Sequence, residues 1–332
     1  MTRVLSEMAN AIDPIMLRYL KKGVSKDFLP IVTYQVKTGG KRIRPALTLL
    51  SCQACGGRIG VALLPAAMIE LIHNYSLIMD DIIDHGELRR GLPTVRARYG
   101  DTLALLAGMF HREVLGEMAQ GTSQPEEMHA LLVNTIKQTI EGERMDILFE
   151  QTGRRDQYII DHHYTKITPK LYFRLIKKKT AELIKAACVA GAISARARKP
   201  YRDAISTYGE KVGLAFQVID DFLDIFGEKT GKQKGKDVIE HKLGNAIIVY
   251  ALQEVTSHQH SQLMRVLRTG ELDSARLGQA LRLLESTGVR VKVMNLAKAL
   301  VKDAKESLEA LPETQARHAL AEVADFVAAR LY

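Results

Sequence analysis

Two Asp-Asp-x-x-Asp sets, at residues 80–84 and 220–224, constrain this 332-residue chain more than any other feature. Each set lies within a run of apolar residues, which is a costly place for several like charges. An uncompensated ion taken out of water costs several kcal/mol, so each set requires counter-charges. Carboxylate oxygens suit magnesium, and the sequence therefore predicts two carboxylate sets neutralised by divalent metal ions.

Both sets lie near the ends of long apolar helices, which the spacing of apolar residues predicts over 61–84 and 201–227. Asp80 and Asp84 are four residues apart, so their carboxylates share one helix face. His73 precedes Asp80 by seven residues, about 20° away around an ideal helix. Helix capping does not account for these aspartates, because Asp favours the first turn of a helix and these lie near the last.

The rest of the chain also has helical periodicity. It predicts helices over 4–22, 27–36, 99–120, 125–151 and 168–192. Four or five more are expected over 243–332, with breaks at 269–270 and 287–288. Because the sequence contains no linker and few alternating β-branched runs, we predict an all-α fold with one domain over residues 1–332.

Basic segments accompany the acidic ones. Lys41, Arg42 and Arg44 lie beside a predicted helix N-terminus, where free N–H groups and the helix dipole favour an anion. Two arginines follow the first Asp set, and a lysine-rich loop follows the second. The net charge of +9 suits a phosphorylated small molecule or an anionic surface. No Lys/Arg block with interleaved aromatics occurs, so we predict no nucleic-acid partner.

The three cysteines, Cys52, Cys55 and Cys188, predict buried free thiols in a reducing cytoplasm. No second Cys/His pair accompanies the first two, which argues against a zinc site. The N-terminus lacks a signal-peptide core. The longest apolar run, 61–72, is interrupted by Pro65 and Glu70 and is too short to span a bilayer. We therefore expect a cytoplasmic protein without a transmembrane segment.

Two facing carboxylate sets with nearby cations describe a diphosphate site. Magnesium binds through one or two carboxylates together with phosphate oxygens, and lysine and arginine neutralise the remaining charge. Apolar helices around such a site would hold a hydrocarbon tail. This arrangement suits the ionisation of an allylic diphosphate, because metal and cations stabilise the leaving group and a dry pocket protects the carbocation.

From Gly39 to the C-terminus the sequence resembles the trans-isoprenyl diphosphate synthases of the polyprenyl synthetase family. The motifs that carry the resemblance are Gly39-Gly40-Lys41-Arg42-Ile43-Arg44-Pro45, His73, Asp80-Asp81-x-x-Asp84 with Arg89-Arg90-Gly91, Lys179-Thr180, Phe216-Gln217 with Asp220-Asp221-x-x-Asp224, and Gly231-Lys232. The resemblance implies a large helical bundle around a central active-site cavity. It also implies a homodimer that condenses isopentenyl diphosphate with an allylic diphosphate.

The resemblance further implies a role for each motif residue. Three magnesium ions are expected, two on Asp80 and Asp84 and one on Asp220, with Asp81 and Asp224 acting from behind these ligands or through water. The isopentenyl diphosphate is expected on Lys41, Arg44, His73 and Arg90. The allylic diphosphate is expected on Arg89, Lys179, Lys232 and Lys242. Thr180 and Gln217, with Lys179, are expected to line the reacting centre, and the departing diphosphate is expected to remove the final proton.

Two positions depart from the family pattern. Gly108 is followed by Met109 where the family usually has Asp, and Lys242 is followed two residues later by Gly244 where it often has Thr. Neither change removes an expected metal ligand. Both bear on local loop geometry and on the subfamily.

Product length is expected to depend on the residues just before the first Asp set. Tyr75 and Ser76 resemble the pattern of archaeal geranylgeranyl diphosphate synthases. Ideal helix geometry places Ser76 about 40° from Asp80 but Tyr75 well round the helix. The place of Tyr75 in a tail pocket therefore rests on the resemblance.

Other functions share some of these sequence features. A farnesyl or longer-chain synthase would share every motif. A class I terpene cyclase typically replaces the second Asp set, and the set at 220–224 with Lys41 and Arg44 argues against it. A non-catalytic partner subunit would be expected to lose Asp or Arg positions, and none is lost. A basic binding protein gives no reason for two Asp sets.

Overall fold

The computed structural model describes residues 2–227, 235–269 and 273–329. The described residues are 78% helical and contain two short strands, which confirms the all-α prediction. The helices of the first half are α1 (Thr2–Leu20), α2 (Leu29–Lys37), α3 (Ile43–Ala54), α4 (Ile59–Ile83), α5 (Val95–Tyr99), α6 (Asp101–Gln120), α7 (Pro125–Phe149) and α8 (Gln157–His162). Strands β1 (Leu88–Arg89) and β2 (Leu92–Pro93) form an antiparallel hairpin between α4 and α5.

The second half continues the helical pattern. Its helices are α9 (Pro169–Ile176), α10 (Glu182–Ser194), α11 (Lys199–Phe226), α12 (Lys236–Ile239), α13 (Ala246–Glu254), α14 (Ser257–Leu267), α15 (Ser274–Ser286), α16 (Val289–Ser307) and α17 (Gln315–Ala329). Five of these helices fall within 243–332, as predicted, and α15 ends at the expected break near residue 287.

The chain divides into two compact units. Unit 1 comprises Met1–Ile136, Leu183–Gly209 and Leu308–Leu320, and unit 2 comprises Lys137–Glu182, Glu210–Ser307 and Ala321–Tyr332. In unit 1, α4 packs against α1, α3 and α6 and buries most of its apolar residues. In unit 2, α13 packs against α9 and α16, and α15 packs against α16. Each unit therefore has its own helical core, and each contains one of the two Asp sets.

Helix α4 is also long and apolar enough to cross a membrane when length and composition are considered by themselves. It is the one such helix among the described residues, and 67% of its most apolar window is buried inside the protein. That burial is typical of a core helix. The helix predicted over 61–84 is observed over Ile59–Ile83.

The helix predicted over 168–192 is observed without a break from Pro169 to Ser194, but its middle is not α-helical. The chain forms α9, then five π-helical residues, Lys177–Ala181 (the π segment), then α10. Two glycines on neighbouring helices allow direct backbone contact there. A Cβ added to Gly142 would lie 2.6 Å from Lys179 Cα, and one added to Gly213 would lie 2.6 Å from Ala181 Cα. The 3.6-residue periodicity of the sequence does not reveal this π-helical turn. Such turns are common at functional sites.

The predicted helix over 99–120 also differs from the structure. Gly100 has a φ of +86°, which glycine adopts readily, and this residue separates α5 from α6. Thr94 caps α5, since its hydroxyl accepts a hydrogen bond from Ala97 N (3.1 Å). The free cysteines were predicted correctly: Cys52, Cys55 and Cys188 are all buried and unbridged.

Candidate active site

Arg42 organises the basic segment at the start of α3. Its guanidinium donates twice to Asp13, once to Glu70 (2.7 Å), and once each to the carbonyl oxygens of Val36 and Gly39. All five N–H donors of the guanidinium are therefore used. Arg42 is 2% exposed, so this side chain ties α1, α3 and α4 together. Of the three predicted anion-binding cations, Arg42 faces inward and is committed to the scaffold.

Other predicted isopentenyl-site residues come together near Arg42. Lys41 is exposed and Arg44 lies half-buried in the first turn of α3. The guanidinium of Arg90 lies against Gly40, where an added Cβ would be 2.9 Å from Arg90 Nη1. Burial, followed by the positive charges of Arg44 and Arg90, holds the pKa of His73 well below its ordinary 6.5. A neutral imidazole thus lies among arginines, which makes this region of unit 1 suited to an anion.

The first Asp set divides into exposed and buried members. Asp84, the residue after α4, is exposed, Asp80 is half-buried, and Asp81 is 4% exposed. Asp84 N donates to Asp80 O (2.8 Å), so the last helical turn is closed and both outer carboxylates keep one face. The expectation that each whole set is buried was too broad, because only the middle aspartate of this set is fully buried.

Asp81 has a charged partner of its own. Arg89 donates to it through Nη2 (2.8 Å) and Nε (3.0 Å), a two-pronged pair. Arg89 lies on β1, and the turn of the hairpin is Arg90-Gly91, both with positive φ (56° and 76°). Positive φ at both turn residues is the two-residue hairpin geometry that matches strand twist. The hairpin therefore fixes where Arg89 and Arg90 project after the Asp set.

The second Asp set has the same division. Asp220 and Asp224 are half-buried, whereas Asp221 is 2% exposed. Asp221 accepts hydrogen bonds from Tyr172 Oη (2.6 Å), Gln217 Nε2 (2.8 Å) and Ala246 N (2.8 Å). Burial and the neighbouring Asp237 raise the pKa of Asp221, and the three donors oppose that rise. In both sets the middle aspartate is thus held by the scaffold.

The segment after the second set is partly described. Asp224 accepts from Asp237 N (3.2 Å), and its backbone oxygen accepts from Gly235 N (2.8 Å). Gly231 and Lys232 lie outside the described residues, so the role expected for Lys232 stays a prediction.

Two predicted allylic-site lysines meet at one buried carboxylate. Lys179 Nζ lies 2.6 Å from Asp146 Oδ2, and Lys242 Nζ lies 3.4 Å from the same oxygen. Glu143 pairs with Lys179 as well (2.7 Å). Although burial opposes it, the attraction of the two lysines lowers the pKa of Asp146 to about 2. The backbone of Gln151 bonds to His241 and brings Lys242 to this point.

The predicted reacting-centre pair is also in contact. Thr180 Oγ1 donates to Gln217 Oε1 (2.7 Å), although 37 residues separate them. Thr180 belongs to the π segment and Gln217 to α11. The close approach of Gly213 to Ala181 is what brings these two backbones together.

The predicted chain-length residues lie within α4. Tyr75 is half-buried, and burial raises the pKa of its phenol while nearby Arg112 opposes the rise. Ser76 donates to His73 O (3.0 Å) and is thus turned along its own helix. An added Cβ at Gly108 on α6 would lie 2.8 Å from Met79 Sδ. Gly108 therefore lets Met79, the residue before Asp80, pack closely on α6.

Sequence reasoning missed four residues that hold the site: Glu143, Asp146, Tyr172 and Asn245. Glu143 and Asp146 are acidic residues at an i, i+3 spacing on a half-apolar helix, so a search for acidic partners of the Lys177–Lys179 run would have found them. Tyr172 and Asn245 carry no such signal, because their partners are distant in the sequence.

Whether the site can bind metal ions depends on the oxygen donors that its side chains supply. Among the residues that the structure describes, no group of three or more His, Cys, Asp or Glu side chains is arranged to hold a metal ion. Magnesium usually binds through one or two carboxylates and completes its shell with water and substrate phosphate. The half-buried and exposed aspartates of each set supply such oxygen donors. They fit metal ions that a bound diphosphate would complete.

An all-helical chain with two aspartate-rich helix ends, each with cations nearby, defines an enzyme of diphosphate chemistry. The chain belongs to the polyprenyl synthetase family, whose model matches residues 25–284, and it is a prenyltransferase that elongates prenyl chains. Divalent-metal dependence is typical of this family.

Relatives with known names agree on the class. The chain is 39% identical to a short chain isoprenyl diphosphate synthase of Methanothermobacter thermautotrophicus, over 89% of this chain and 88% of that one. It is 31% identical to a geranylgeranyl diphosphate synthase of Methanosarcina mazei, over 90% and 88%. The crystal structure of geranylgeranyl pyrophosphate synthetase from Pyrococcus horikoshii matches with a TM-score of 0.88 and 30% identity, over 98% and 97%. Other relatives are named for geranylfarnesyl and heptaprenyl products, so the names leave chain length open.

Proposed function

We propose that the protein catalyses the magnesium-dependent 1′–4 condensation of isopentenyl diphosphate with an allylic diphosphate and that geranylgeranyl diphosphate is its product. The observation that carries the proposal is the meeting of Arg44, His73 and Arg90 in the unit that bears the Asp80–Asp84 set. An anion held by these groups would lie among fixed positive charges. That arrangement suits a diphosphate that binds without being cleaved.

The isopentenyl diphosphate is assigned to Lys41, Arg44, His73 and Arg90. Arg42 does not contact the substrate in this proposal, because its five donors are used within the scaffold. It instead holds the segment that carries Lys41 and Arg44. The neutral His73 donates one hydrogen bond without adding a charge.

The allylic diphosphate is assigned to Lys179, Lys242, Arg89 and Lys232. Asp80 and Asp84 would hold two magnesium ions and Asp220 a third, while Asp81 and Asp224 would support these ligands from behind or through water. When bound, these ions would neutralise the diphosphate and stabilise its departure. The pairing of Arg89 with Asp81 supports a role in which the aspartate orients the arginine toward the leaving group.

The reacting centre is assigned to Lys179, Thr180 and Gln217. As the C–O bond of the allylic diphosphate breaks, the lysine stabilises negative charge on the leaving group, and the oxygens of Thr180 and Gln217 stabilise the cation. The double bond of isopentenyl diphosphate then attacks, and the departing diphosphate removes the proton that completes the condensation.

Product length is assigned to Tyr75, with Ser76 beside it. Tyr75 precedes Asp80 by five residues, a rise of about 7.5 Å along α4. This distance from the metal ligands, together with the half-buried position of the ring, supports a role for Tyr75 as a barrier to a growing tail. Ser76, by contrast, is turned toward His73 O and leaves the tail room to pass.

A homodimer in the cytoplasm completes the proposal. Leu105, Leu106 and Met109 are exposed apolar residues of α6 (43%, 45% and 57%), and a second copy of the chain would cover them. Sedimentation of the purified protein as a dimer at micromolar concentration is expected, and a monomer would contradict the assembly. The buried free thiols support a reducing compartment.

The deciding experiment incubates the protein with magnesium, labelled isopentenyl diphosphate, and dimethylallyl, geranyl or farnesyl diphosphate in turn. Chromatography is expected to find a 20-carbon end product. No elongated product with any primer would refute the condensation, whereas products ending at 15 carbons or continuing past 20 would refute only the chain length.

A matched pair of variants tests the isopentenyl site. Arg44→Gln is expected to raise the KM for isopentenyl diphosphate at least roughly tenfold, because a charge-assisted hydrogen bond is lost. The KM for the allylic primer should stay unchanged. Arg58→Gln, which alters an exposed arginine just before α4, should leave both constants at the wild-type value. Equal effects of the two variants would contradict the assignment.

A further inference from the structure

A chain of hydrogen bonds in unit 2 runs from a buried tyrosine to the assigned reacting centre. Tyr172 on α9 is 0% exposed, and its hydroxyl donates to Asp221 Oδ2 (2.6 Å). Gln217 Nε2 donates to Asp221 Oδ1 (2.8 Å). Thr180 Oγ1 donates to Gln217 Oε1 (2.7 Å). Three contacts therefore connect Tyr172 to the Thr180 hydroxyl.

The direction of each bond follows from the groups involved. Asp221 Oδ2 also accepts from Ala246 N (2.8 Å), and a backbone N–H can only donate. Because both oxygens of Asp221 accept, the Gln217 amide turns its NH2 toward them and its carbonyl oxygen toward Thr180. A hydroxyl has one proton and two lone pairs. With its proton directed at Gln217, Thr180 can offer its lone pairs to another group.

We propose that Tyr172 is a positioning residue for the condensation. It fixes the carboxylate of Asp221, and through Gln217 it sets the Thr180 hydroxyl so that oxygen lone pairs, and not the proton, are available to the allylic cation. Dipoles fixed in advance toward developing charge stabilise a transition state without reorganisation. This inference rests on the proposed function, in which Thr180 and Gln217 line the reacting centre.

The phenol of Tyr172 holds the side chain of Asp221 rather than its helix. Asn245 Nδ2 lies 3.3 Å from Asp221 O and donates to that backbone carbonyl independently. Asp221 also sits inside α11, which its own helical hydrogen bonds maintain. Removing the phenol hydroxyl should therefore take one of the two donors from Asp221 Oδ2 and leave only Ala246 N on that oxygen, while the backbone stays in place.

Tyr172→Phe tests the inference because it removes a single oxygen. We expect kcat to fall roughly tenfold, the effect of losing one well-placed hydrogen bond, with both KM values unchanged. Tyr208→Phe is the matched control. Tyr208 is equally buried and donates to Leu320 O (2.6 Å), so it should lose similar thermal stability and keep its kcat.

A second comparison separates the orientation of the Thr180 hydroxyl by Tyr172 from a general loss of structural stability. In a Thr180→Val background, which lacks the hydroxyl to be oriented, Tyr172→Phe should lower kcat by less than twofold, because the two residues act as one unit. A full tenfold loss in that background would overturn the inference, as would equal kcat losses in Tyr172→Phe and Tyr208→Phe.

Crystal structures of the wild type and of Tyr172→Phe give a readout that does not depend on activity. The wild type should retain the Tyr172–Asp221–Gln217–Thr180 chain, and in the variant Gln217 should rotate away from Asp221. An unchanged Asp221–Gln217–Thr180 chain in the variant would overturn the inference even if the protein elongates no primer. Failure of the primer assay with a rotated Gln217 would instead refute the proposed function.

Discussion

Removal of the Asp146 carboxylate tests how the two lysines of unit 2 are held. The Asp146 side chain is 12% exposed and lies between Lys179 and Lys242. Its pKa falls from 3.8 to about 2. Each pKa unit corresponds to 1.36 kcal/mol, so the carboxylate contributes about 2 kcal/mol of stability at neutral pH. Asp146→Asn should lose about that free energy of unfolding at pH 7.

The sign of the pH dependence follows from the lowered pKa. The stabilisation is fully present above pH 3.8, the ordinary value, and is lost as the pH falls toward about 2. The difference in unfolding free energy between wild type and Asp146→Asn should therefore shrink to roughly half by pH 3. Urea unfolding at pH 7, 5, 4 and 3, followed by circular dichroism, measures this difference.

Asp303→Asn is the matched control. Asp303 pairs with Lys211 at 2.6 Å, but its side chain is 46% exposed, and exposed pairs contribute about 0–1 kcal/mol. If Asp146→Asn unfolds within about 0.5 kcal/mol of wild type at pH 7, or if its deficit does not change with pH, the assignment of Asp146 as the anchor of the two lysines is refuted.

Three further predictions concern the scaffold and the product. Tyr75→Ala should lengthen the product, and an unchanged chain length on chromatography would remove Tyr75 as the barrier. Gly142→Ala should lower turnover sharply because its Cβ would meet the backbone of the π segment. Gly116→Ala is the control, because the space around Gly116 is open. This variant should keep wild-type turnover and gain about 0.5–1 kcal/mol of stability. Arg42→Met should cost roughly 3–5 kcal/mol in urea unfolding because Glu70 loses its buried partner, and a loss under about 1 kcal/mol would contradict the scaffold role.

Local sequence patterns predicted the helices well where one periodicity persisted. The ends of α4 and α11 lie close to those predicted, because long apolar stripes and the Asp sets mark them. The hairpin at Leu88–Pro93 was missed since strands of two residues cannot display an alternating pattern. An Arg-Gly pair with positive φ at both residues forms its turn, and this pair is a weaker signal than Asn-Gly.

The residues expected to contact substrate and metal ions were easier to predict than the residues that hold them in place. Charge sign and spacing indicated Arg44, His73 and the outer aspartates. Charge and spacing did not separate Arg42 from Arg44, and only the family resemblance assigned Arg44 alone to the substrate. The physical difference lies in the position of Asp13 and Glu70 on two other helices. The contact between Thr180 and Gln217 likewise depends on tertiary packing. Such long-range partners follow from the fold and not from local composition.

The central claim is that both Asp sets serve one magnesium-dependent reaction. It is tested most directly by measuring the steady-state rate of Asp80→Ala, Asp220→Ala and the double variant over a range of magnesium concentrations. Residues that act as a unit are strongly non-additive, so each single variant should lose nearly all turnover and the double variant should be no slower than either. Near wild-type turnover in either single variant, or a double loss equal to the product of the two, would contradict the claim.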